Sequence, residues 1–109
     1  MKQPCEYNGH KVLPTIRLTL TKFLMDEAGL NQVEISELLD ISQAAVSHYY
    51  NHKRGDETVL RRYPGISKSI RELGEDMVNG LDPKALQERI CRICKDFRGQ
   101  LMEDALKRV

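Results

Sequence analysis

Between Gln32 and Gly55 the chain reads QVEISELLDISQAAVSHYYNHKRG. Two apolar patterns at helical spacing lie inside it, Ile35-Leu38-Leu39 and then Val46-Tyr49-Tyr50. Only a few residues around Asp40 separate them, so the second helix must leave the first at a steep angle, as in a helix-turn-helix. Such a corner makes local demands. The first helix needs a small residue where the second crosses it, and Ser36 is small. The turn needs a residue that tolerates left-handed backbone angles. Glycine is the usual occupant, and aspartate at position 40 is an acceptable substitute. Ile41 can plug the turn into the core, and Ser42 is a good N-cap for the second helix. Ile35, Leu39, Val46 and Tyr49 complete the inward-facing set.

The rest of the chain also reads helical. Pro14 can open a first helix with Ile16, Leu20, Phe23 and Leu24 on its apolar side. Gly29 stops it, and Leu30 is placed to pack back. Asn31 with Glu34 three residues later makes a capping-box start for the helix before the corner. From Asn51 to Gly65 the chain is polar and broken by Gly55 and Pro64-Gly65, which marks a connection pinned by Val59, Leu60 and Tyr63. A fourth helix carries Ile66, Ile70, Leu73 and Met77 on one stripe. Asp82-Pro83 starts a fifth, with the stripe Leu86, Ile90, Ile93, Phe97 and Leu101. The expectation is an all-α fold of about five helices in a single domain spanning 1–109. Residues 14–63 form its helix-turn-helix core, and residues 64–109 supply C-terminal helices for a metal site or dimer contact. At 109 residues and 40% hydrophobic, such a domain has a modest core that a partner or metal would reinforce.

ISELLDISQAAVSHYYNHKRG resembles the helix-turn-helix of the lambda-repressor/Cro-like (XRE) transcription regulators. With QPCE near the start and ICRIC near the end, most of the chain is similar to short predicted regulators found mainly in archaea. Asp40 for the usual glycine and Ser36 for the usual alanine are its departures. The resemblance implies a lambda-repressor-like DNA-binding domain whose second motif helix enters the major groove and offers its N-terminal residues to base edges. On that reading Gln43 has an amide that can bridge adenine N6 and N7, and Ser47, His48 and Asn51 share its side. Ser42 and Ala44 flank Gln43, and Ala44 is small enough to let the helix approach. Gln32 can reach a phosphate from the preceding helix start, and Lys53 and Arg54 serve as backbone anchors. Most such regulators are two-fold dimers, so double-stranded DNA and a second copy are the expected partners. The competing reading makes the same residues a solvated face of an antitoxin-like, protein-binding module.

Charge distribution favours DNA. The formal net charge is only +1, but no acid occurs between Ile41 and Gly55, where His48, His52, Lys53 and Arg54 fall. No segment has the roughly 20 apolar residues that span a bilayer, and MKQPCEYNGH is not a signal peptide, so a cytoplasmic, non-membrane protein is expected.

In a reducing compartment three cysteines raise metal binding before disulfides. Cys91 and Cys94 lie one helical turn apart, and Cys5 can reach them if the chain ends meet. Three thiolates suit an iron–sulfur cluster, either three-iron or four-iron with a non-cysteine fourth ligand. A cluster would make the protein redox- or iron-responsive. Zinc completed by His10 would instead give a stabilised repressor without sensing, and no metal at all leaves Cys94 as core filler. Enzymatic roles find little support. A redox Cys-x-x-Cys normally opens a helix after a strand, whereas Cys91 is mid-helix, and His10, His48 and His52 form no triad or protease spacing.

Overall fold

The computed structural model describes residues 11–51 and 55–107. Among them five α-helices run in order: α1 (Val12–Lys22), α2 (Gln32–Leu39), α3 (Gln43–Tyr50), α4 (Pro64–Val78) and α5 (Pro83–Lys107). A π-helical turn, Phe23–Glu27, extends α1, and a 3-10 helix, Glu57–Arg62, precedes α4. No strand occurs among the described residues, so the fold is all-α.

α1 is the central element. Val12, Thr15, Ile16, Leu18, Leu20 and Thr21 are buried on several sides of it, as expected of a helix enclosed by others. It packs against α3, α4, α5 and the 3-10 helix. The helix starts at Val12, two residues before the proline taken to open it. Pro14 still falls in the first turn, where a missing N–H leaves no bond unmade. At the other end the Ala28 amide reaches back five residues to the Phe23 carbonyl at 3.1 Å, and Gly29 ends the run at φ +75°.

Local signals set the boundaries that follow. Asn31 Oδ1 accepts from the Glu34 amide at 2.9 Å while Glu34 Oε1 accepts from the Asn31 amide at 3.1 Å, a complete capping box. α4 begins at Pro64 and buries Ile66, Ile70, Leu73, Gly74 and Met77. Asp82 Oδ2 accepts from the Ala85 amide at 3.4 Å at the start of α5. Leu86, Ile93 and Phe97 of α5 are buried, and Ile90, Cys94 and Leu101 pack against the same core. The apolar stripe that is a candidate dimer contact therefore faces the chain's own interior. The large apolar side chains that α5 leaves exposed are Met102 and Leu106.

From Gly55 onward the connection to α4 holds more order than its composition shows. Asp56 caps the 3-10 helix through the Thr58 amide, and its own amide donates to Thr15 Oγ1 at 3.0 Å. Gly55 sits at φ +80°, and a Cβ there would lie 2.6 Å from the Pro14 carbonyl oxygen, so only glycine fits. Leu60 and Tyr63 are buried, and the Tyr63 hydroxyl donates to Asp104 of α5. No helix among the described residues is long and apolar enough to cross a membrane.

Candidate nucleic-acid interface

The corner forms as its residues demand. Asp40 caps α2 at φ 54° and ψ 49°, in the left-handed region, and is the sole positive-φ residue other than glycine among those described. The amides of Asp40 and Ile41 both turn back to the Ser36 carbonyl, the latter at 3.0 Å. Ser36 is buried at the crossing, and its hydroxyl donates to the Val33 carbonyl at 2.8 Å. Ile41 packs on the core, and Ser42 Oγ accepts from the Ala45 amide at 3.0 Å to start α3.

α3 is two-faced. Val46 and Tyr49 are buried toward α1 and α2, and the Tyr49 hydroxyl accepts from Arg17 Nη1 at 3.4 Å. Gln43 and Ala44, in its first turn, are exposed, as is Ser42 before them. Ser47 and His48 are half-buried on the flank. Asn51 is exposed at the C-cap, where its Nδ2 donates to the Ser47 carbonyl at 3.0 Å and to Ser47 Oγ at 3.3 Å. That bond holds the amide in place and leaves Oδ1 as the open acceptor. Gln32 is exposed at the first position of α2. Lys53 and Arg54, with His52, lie outside the described residues.

Two features of this surface differ from expectation. Leu38, counted with the buried side of α2, is 38% exposed. In an eight-residue helix, Ile35 and Leu39 take the core-facing positions and Leu38 falls on the flank. Tyr50, expected to supply apolar contact, turns its hydroxyl outward to donate to Asp26 Oδ1 at 2.8 Å. That hydrogen bond, with the carboxylate's charge, raises the Tyr50 pKa above its ordinary value. An acid from the π turn thus adjoins the end of a helix that is acid-free in its own sequence.

Cys91 and Cys94 lie beside the corner. Cys91 is exposed and Cys94 half-buried on α5, and both are free thiols. They line one groove of about 480 Å³ together with Leu13 and Arg17 of α1 and with Leu38 and Asp40 at the corner. Cys5 and His10 fall outside the described residues. Among the described residues no three His, Cys, Asp or Glu side chains gather as metal ligands. The described part of the groove supplies two thiols, fewer than a cluster or tetrahedral zinc requires.

Sequence reasoning missed Arg17, which lines the groove while bonded to Tyr49 of α3. No local pattern marks it, because both contacts come from distant segments. No family model, curated protein or solved structure matches the chain.

Proposed function

We propose that the chain is a sequence-specific, DNA-binding transcription regulator of the lambda-repressor/Cro-like kind, acting as a homodimer. The observation that carries the reading is the left-handed corner at Asp40. Behind it stands a short helix with its apolar residues turned inward and Gln43 and Ala44 outward in its first turn. This is the geometry a recognition helix needs, since its N-terminal residues must reach base edges while its opposite face is held by the domain. Gln43 reads a base, Asn51 offers an acceptor, and Gln32 meets a phosphate from the start of α2. Lys53 and Arg54 add sequence-independent attraction.

The test is selection of a binding sequence from a random duplex pool, followed by affinity measurements on single-base variants of the selected site. Gln43→Ala is expected to remove about 1–3 kcal/mol of discrimination at one base pair. Lys53→Ala is expected to weaken all sequences alike and to flatten the salt dependence. If the pool yields no enriched sequence and both variants bind as the parent does, the surface serves a protein partner instead.

A further inference from the structure

We propose that Cys91 and Cys94 form a two-thiolate site for a soft monovalent d10 cation of the copper(I) class, and that filling it bears on the corner that aims α3. The spacing selects this chemistry. Residues three apart on a helix have Cβ atoms about 5–6 Å apart, whereas a disulfide draws its Cβ atoms to about 3.8 Å. α5 would have to distort to oxidise this pair. One bridging ion needs no distortion, since the two metal–thiolate bonds lengthen the link between the side chains beyond a direct sulfur–sulfur bond. Thiolates are the ligands that soft ions prefer over harder competitors.

The surroundings fit the same ion. Cys91 is exposed and admits it, while Cys94 is half-buried against the core. Leu13, Leu38, Leu86 and Ile90 make the wall apolar, and Glu37 and Asp40 add negative charge to the lining. Binding releases two thiol protons to solvent and forms two sulfur–metal bonds with no electron transferred. The loaded site carries one negative charge, and the Arg17 guanidinium is the cation of the same groove that faces it and the two carboxylates. Arg17 also donates to the Tyr49 hydroxyl in the last turn of α3, and Asp40 is itself part of the lining, so occupancy touches the corner and the helix that it aims.

The effect on operator binding rests on the DNA-binding reading, but the cation site does not, so both readouts are taken without DNA. Full-length reduced protein is titrated with copper(I) against a competing chelator in the absence of air. One ion per chain is expected, with Cys91→Ser and Cys94→Ser each weakening it roughly a hundredfold and Cys5→Ser leaving it unchanged. Amide exchange at Asp40 and Ile41, whose N–H groups bond to Ser36, is expected to slow several-fold on loading. Equal weakening by Cys5→Ser would overturn the two-thiolate site. Identical exchange in loaded and free protein would overturn the link to the corner.

Discussion

Two helical glycines set against each other show how position decides the effect of one methyl group. A Cβ on Gly74 would run into the Phe23 ring, which sits beneath the Arg71 guanidinium 5.5 Å away. Gly74→Ala should therefore destabilise by about 1–2 kcal/mol, overpacking outweighing the gain in helix propensity. Gly99 in α5 has nothing within 4 Å of a built Cβ, so Gly99→Ala should stabilise by about 0.5–1 kcal/mol. Urea unfolding of the pair measures both signs. Thr21 is wholly buried, and its hydroxyl has no hydrogen-bond partner among the described residues. Thr21→Val should be neutral or stabilising by up to about 1 kcal/mol, since it removes an unpaired polar atom at nearly constant volume. Titration effects are local as well. The Thr58 hydroxyl and amide hold Asp56 below the ordinary carboxylate value of 3.8. A lowered folded pKa stabilises above the unfolded value, and that stability fades as pH falls through the folded one. Asp56→Asn should cost stability at pH 7, and the gap to the parent should narrow on acidification below about 4.

Among the elements, the corner was the most legible because each of its demands is made by one residue on its immediate neighbours. Asn31 and Ser42 cap as their side chains dictate, and Asp40 takes the backbone angles that a glycine would normally supply. Asp40→Gly should keep the corner and add up to about 1 kcal/mol of stability, whereas Asp40→Val should lose at least that much. Thermal unfolding with helix content as the signal separates the two. The stripes of α4 and α5 were equally readable, since long periodic segments show their buried face plainly. What escaped was set by tertiary contact. The π turn at Phe23–Glu27 carries the ring that nests against Gly74, a partner some fifty positions away. The 3-10 helix is held by Thr15 and Gly55 contacts that no local pattern shows. Leu38 was misplaced because eight residues give too few turns to separate the core face from its flank. On the candidate interface, Gln43, Ala44 and Asn51 are exposed and Ser47 and His48 half-buried, while the approach of Asp26 through Tyr50 comes from another element.

For the molecule as a whole, a net charge of +1 means that any DNA affinity depends on how charge is distributed rather than on its total. If several phosphates are engaged, the logarithm of affinity should fall linearly with that of salt, by about 0.9 per neutralised phosphate. A slope near zero in a filter or anisotropy titration would tell against phosphate contact altogether. The enclosure of α1 has a further consequence for how the chain is made. Val12 and Thr15 line the same small cavity as Phe97 and Leu101, so α1 finds part of its lining more than eighty positions later in the chain. Until then the growing polypeptide holds α1 with the side that α5 covers still open to chaperones and proteases. Arrested nascent chains should therefore gain protease resistance only after residue 101 has cleared the exit tunnel.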